Sequence, residues 1–291
     1  MLKTLGRVWG SKTRPREKVV TLVKASGVHE TFDPEKIRFS LLHSGASAEA
    51  TENVLEHLVP ILHNGMTTSE LYRHAFQILA KISKPVARSY SLRRAVMQLG
   101  PSGFPFEDFV AEILKAKGFE CLTGQNVLGG CVPHEVDVVA WNEKKLIMVE
   151  AKFHNELGTK SDLKVVLYVK ARWDDLKENV FSYGGINRAI TDCWLITNTK
   201  FSSTAIHYAE CKGMTLIGWN YPESGSLQQM IEEERLHPVT CLTSLLEKEK
   251  KILIANGVVL CSMVIKDPSI LKKLLGARFD SIKTLSEINE L

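Results

Sequence analysis

The sequence predicts an α/β architecture: an α/β sandwich over residues 101–222, preceded by a mainly helical domain over 18–100 and followed by a small helical extension over 223–291. Three observations carry this. The chain has 291 residues, more than one hydrophobic core usually organises. Its first hundred residues read mostly as helices and end at GPSGFP, residues 100–105, whose composition is that of a domain boundary. After that segment short β-rich runs alternate with helical patterns.

The hydrophobic share of 44% and charged share of 24% are ordinary for a globular protein, and no apolar run approaches the roughly 20 residues that span a bilayer. The expectation is a protein with no membrane partner. Charge is placed unevenly. Lys3, Arg7, Lys12, Arg14, Arg16 and Lys18 face only Glu17, so residues 1–17 read as a basic, solvated terminus, while the rest of a chain of net charge +4 is close to neutral. The six cysteines are ten or more residues apart with no C-x-x-C pair, which excludes a zinc ribbon and predicts reduced thiols in the cytoplasm.

In the first domain, VVTLVK and the run ending at Phe32 predict a hairpin. Asp33-Pro34 then supplies an N-cap and a proline at the first helical position, and Gly45 ends the helix so started. Helices follow at 48–63, 68–81 and 85–99. In the second domain FEDFVAEILKAKGFE places Phe106, Phe109, Val110, Ile113 and Leu114 on one helical face, closed by Gly118. The strands EVDVVAW and LIMVEAKF come next, then a helix over 161–179, the strand CWLITN, a helix over 202–212 and the strand MTLIGW. LTSLLEKEKKILIANG and DPSILKKLLG predict helices in the extension, most simply a packing module, since glycine commonly ends helices.

EVDVVAW and LIMVEAKF flank the four residues NEKK, so Trp141 is expected to pair with Leu146, Asp137 with Glu150 and Glu135 with Lys152. Side chains alternate along a strand, which puts these four charged residues on one face with Val139, Trp141, Leu146 and Met148. The other face is Val136, Val138, Ala140, Ile147, Val149, Ala151 and Phe153, so both faces are apolar and the pair is central. Two carboxylates opposite one another lie about 4.5–5.5 Å apart at Cβ and repel unless a cation intervenes. Carboxylate oxygens suit Mg²⁺ or Mn²⁺, and a lysine two residues from one ligand can hold an attacking water.

Val136-Asp137, thirteen residues before Glu150-Ala151-Lys152, resembles the signature of the PD-(D/E)xK nucleases, and residues 104–221 are similar to the Mrr-type restriction endonuclease branch. The resemblance implies a restriction endonuclease-like fold, Asp137 and Glu150 as metal ligands, Lys152 as the residue that orients water, and Glu107 as a further acidic site residue. His154, Lys164 and Arg172 lie in a stretch longer than the pattern; a solvated helix face is the expected role for each, with phosphate contact the alternative.

VKASGVHETFDPEKI, MTTSEL and ARSYSLRRAV, within residues 18–100, resemble the ATP-cone of ribonucleotide reductases. That likeness implies nucleotide contacts from Lys24, Glu30, Lys36 and Thr68, with ATP or dATP as effector; its R-D-G element is Ala25-Ser26-Gly27 here. Together these expectations describe a hydrolase that cleaves DNA, with DNA, an adenine nucleotide and a second copy of the chain as the partners it admits. The alternatives are an inactive nucleotide-sensing DNA-binding protein and a repair or junction-cleaving nuclease.

Overall fold

The computed structural model describes residues 20–24, 27–156 and 159–289. The basic terminus, and Ala25 and Ser26 of the R-D-G position, lie outside the described residues. The chain divides into two compact units between Ala87 and Arg88.

In the first unit β1 (Thr21–Val23) pairs antiparallel with β2 (His29–Thr31), Leu22 opposite Glu30. The helix α1 (Pro34–His43) starts as its sequence predicts: Asp33 accepts from Glu35 N at 2.9 Å and proline follows at the first helical position. Ser47 caps α2 (Ala48–Leu58), and Thr67 with Glu70 forms a capping box on α3 (Thr68–Ile82). Leu22, Leu41, Val54, Leu58, Leu71 and Leu79 are buried as its core.

The division falls inside α4 (Lys84–Met97), earlier than the predicted boundary at GPSGFP. Leu92, Val96 and Leu99 explain the difference, because they are buried in the core of the second unit with α5 (Phe104–Ala116). That unit is built on a five-stranded sheet of order β11-β9-β5-β4-β3. The strands β3 (Glu120–Leu128), β4 (Pro133–Trp141) and β5 (Leu146–Lys152) are antiparallel neighbours. After β6 (Lys160–Ser161), α6 (Leu163–Leu176) crosses over to the hairpin of β7 (Val180–Tyr183) and β8 (Ile186–Ala189) and then to β9 (Asp192–Thr197). β9 is parallel to β5. β10 (Lys200–Phe201) pairs with β6, and α7 (Ser203–Cys211) leads to β11 (Thr215–Ile217), parallel to β9.

Both sheet faces are covered, as the two apolar faces of the hairpin require. Val138, Ala140, Ile147, Val149 and Ala151 pack with α5 and with α8 (Leu227–Glu233). Val139, Trp141, Leu146 and Met148 pack with α6 and α7. The C-terminal residues form their own cluster, Val239, Leu242, Leu253, Val258, Val264, Leu271 and Ile288, from α9 (Glu247–Ala255), α10 (Cys261–Lys266), α11 (Ser269–Leu275), α12 (Ser281–Asn289) and the turn before them. The predicted helix beginning at Leu242 starts only at Glu247, where the Glu249 carboxylate accepts from Leu246 N at 2.7 Å. Among the described residues no helix is long and apolar enough to cross a membrane.

Candidate active site

The turn Asn142 to Lys145 sets the predicted register, and Trp141 pairs with Leu146. The β4–β5 ladder ends at Val138 and Val149, so the expected Asp137–Glu150 and Glu135–Lys152 pairs are not rungs of it. The Asp137 side chain does the joining instead: Oδ2 accepts a hydrogen bond from Ala151 N at 2.8 Å, which holds the carboxyl at the end of β5 beside Glu150. Where Asp137 stands, the β3–β4 ladder lacks the rung to Gly124, whose φ is +59. A glycine inside a strand marks such an irregularity. Alternation shifts there, and Val136 packs with Val139 and Trp141 on the α6 side, a correction to its expected place beside Val138.

Three carboxyls feel each other at this strand end. Burial raises the Asp137 carboxyl against the opposing pull of the Ala151 amide, Arg172 and Lys152. Burial, and next the charge of Asp137, raise that of Glu150. Glu107, in the first turn of α5, is pushed up to about 7 by burial and then by Asp137, with Asp108, Glu135 and Glu150 adding to it. The sequence-predicted Glu107 is therefore brought to the site from the neighbouring helix. Lys152 is exposed at the last position of β5, with its charge acting on both Asp137 and Glu150.

Arg172 is the residue the sequence placed wrongly. It is buried rather than on a solvated face, its Nη1 donates to Glu150 Oε2, and its guanidinium lies 5.5 Å from the Tyr168 ring centre. A signal was present: Val166, Val169, Arg172 and Leu176 run at helical spacing and form the buried stripe of α6. One turn on, Asp175 accepts from Cys131 N at 2.8 Å, Val132 N at 3.3 Å and His134 Nε2 at 2.8 Å. Pro133, His134, Glu135, Asp137, Tyr168 and Arg172 line one cavity of about 240 Å³. His154 donates its backbone N–H to Asn198 Oδ1 at 2.8 Å and its ring meets Ser161 Oγ at 2.8 Å, while Lys164 is exposed on α6.

Carboxylate oxygens that repel one another fit a hard divalent cation. Among the described residues no three His, Cys, Asp or Glu side chains converge closely enough to enclose an ion. Asp137 and Glu150 are the two carboxyls at this strand end that could share such an ion.

In the first unit, Glu30 pairs with Lys24 at 2.6 Å and also with Lys36, so three of the four residues expected to contact nucleotide are together. Thr68 opens α3 one residue after the Thr67 cap, and no contact joins it to that group among the described residues.

Sheet, flanking helices and strand-end carboxyls define a restriction endonuclease-like α/β domain, and residues 100–220 match the Restriction endonuclease family, Mrr_cat. Residues 237–287 match the family AF1548-like, C-terminal, which gives the extension an identity beyond that of a generic packing module. An uncharacterized protein of Archaeoglobus fulgidus is 38% identical over 157 residues, 54% of this chain and 83% of its own. The crystal structure of AF1548, a protein of unknown function, superposes with a TM-score of 0.52 at 33% identity, covering 65% of this chain and 96% of that one. The chain belongs to this AF1548-like family. The MspJI restriction endonuclease in complex with a 27-mer oligonucleotide reaches a TM-score of 0.28 at 12% identity over 80% of this chain and 45% of its own, too low to support any comparison of sites.

Proposed function

We propose that the chain is an endonuclease that hydrolyses DNA phosphodiester bonds with Mg²⁺ or Mn²⁺. The observation that carries this reading is the strand-end arrangement, in which Asp137, tied to Ala151 N, sits beside Glu150 with Lys152 at the next outward position of β5. Buried carboxyls set side by side cost stability and gain a purpose when a cation is bound between them. Such a cation supplies Lewis-acid stabilisation of the charge that develops on the phosphate oxygens. Asp137 and Glu150 would hold it, Lys152 would donate a hydrogen bond that orients the attacking water, and Glu107 would accept the proton that water loses. Supercoiled plasmid incubated with Mg²⁺ or Mn²⁺ should be nicked, and Lys152→Ala should abolish nicking with an unchanged melting temperature. Nicking that survives the substitution, or proceeds in EDTA, removes the mechanism.

A second reading is a DNA-binding protein with no hydrolysis, and Arg172 favours it, because its guanidinium already neutralises Glu150. A chain that binds duplex DNA but takes up no Mn²⁺ in calorimetry would establish it. Regulation by ATP or dATP is proposed for the first unit, where Glu30 gathers Lys24 and Lys36 much as a phosphate group would.

A further inference from the structure

We propose that Lys160 and Lys200 form a binding step for the phosphate backbone of duplex DNA, beyond the catalytic end of β5; this rests on the nuclease reading. The two are register partners on the parallel strands β6 and β10, which sets their backbones about 4.8 Å apart with side chains on the same face. Like charges directly opposite on paired strands destabilise the pair unless an anion lies between them. Among the described residues no carboxylate pairs with either ammonium.

A third cation deepens the field. Arg93 is buried with its guanidinium 5.5 Å from the Trp219 ring, and Trp219 N donates to Thr199 O at 2.7 Å, immediately before Lys200. Burial, and after it Arg93 and Lys160, lower the affinity of Lys200 for its proton, the mark of a group short of negative charge.

The corner is also stiff. Asn198 both accepts from His154 N and donates to His154 O at 2.8 Å, the His154 ring meets Ser161 Oγ at 2.8 Å, and Ser202 N donates to Ser161 O at 3.1 Å. The backbone that carries the lysines is thus held before any ligand arrives, which lowers the entropy lost on binding. Lys152 is the register partner of Thr197, and Lys200 follows Thr197 by three residues, past the bend at Asn198 and Thr199. Three residues span at most about 10 Å, which is about three nucleotide rises of duplex DNA. A strand whose scissile phosphate sits by Lys152 is therefore within a few nucleotides of Lys200 and Lys160.

The test is fluorescence anisotropy of the full chain with a labelled duplex of about 20 base pairs in EDTA, repeated from about 50 to 200 mM salt. Each phosphate contact contributes about 0.9 to the slope of log affinity against log salt, so Lys160→Ala/Lys200→Ala should reduce the slope by about 1.8 and weaken binding on the order of tenfold at low salt. Lys248→Ala/Lys251→Ala, which removes the same charge from the exposed side of α9, should leave the slope unchanged. If the alanine pair lowers the melting temperature, Lys160→Gln/Lys200→Gln keeps the side-chain stems and should show the same loss. A folded variant with the parent slope, or an equal fall in the α9 control, overturns the proposal alone. A parent chain that binds no duplex at low salt overturns the nuclease reading with it.

Discussion

Arg172 pairs with Glu150, and it would compete with any cation bound there. Breaking a buried pair by deleting one member leaves the other uncompensated, at a cost of about 3–5 kcal/mol. Arg172→Met should therefore lower the stability of the metal-free chain by roughly that amount in urea unfolding. Removing the competing cation should also tighten Mn²⁺ binding in calorimetry, and Mn²⁺ should restore most of the lost stability. A variant that binds Mn²⁺ more weakly would show instead that Arg172 positions Glu150. Asp137, Glu150 and Lys152 were legible as residue types at a meaningful spacing. Arg172 was expected on a solvated helix face, because its charge counted for more than its position on the apolar stripe of α6.

At the scale of elements, the C-terminal half of α6 frames the start of β4. Asp175 accepts from two amides and from His134, Gly130 N donates to Asp175 O at 2.8 Å, and a Cβ on Gly129 would stand 2.2 Å from Asp175 Oδ2. Glycine is required there because the carboxylate lies against the backbone. The His134 hydrogen bond is the main cause that holds the Asp175 carboxyl down to about 2. A carboxyl depressed on folding stabilises the fold above its ordinary value near 4 and ceases to do so as pH falls towards 2. Asp175→Asn should then lower the melting temperature at pH 7 and speed amide exchange at Cys131 and Val132. The difference from the parent should narrow as pH falls below about 4, and a constant difference would exclude the Asp175 carboxylate as its source. The strand β3 went unrecognised in the sequence because ECLTGQNVL mixes polar residues with an interior glycine, which speaks against a strand by local propensity. Pairing along β4 overrides that preference.

For the whole molecule, the two proposed activities fall in different compact units, and a nucleotide effect tests whether they are linked. ATP or dATP should raise the melting temperature of the full chain, by the equivalent of about 2.7 kcal/mol at a hundredfold excess over its dissociation constant. Lys24→Ala/Lys36→Ala should remove that shift. No shift in the parent chain at millimolar nucleotide would mean that Lys24, Glu30 and Lys36 form a salt-bridge cluster only. A shift without any change in plasmid nicking would mean that the nucleotide binds without coupling to the nuclease.

The hairpin register, the Asp33–Pro34 helix start, the two apolar sheet faces and the alternation of strands with helices were all determined by sequence alone. Each follows from short-range physics: turn length, capping and hydrophobic period. Tertiary structure alone decided the kink at Gly124 that sends Val136 across the sheet and leaves Asp137 to bind Ala151 N. It also decided that the C-terminal part of α4 joins the second unit, that Glu107 feels the charge of Asp137, that Arg172 meets Glu150, and that Lys160 stands beside Lys200. These contacts join residues far apart in the chain, and no local preference specifies which distant partner a side chain meets once the layers close.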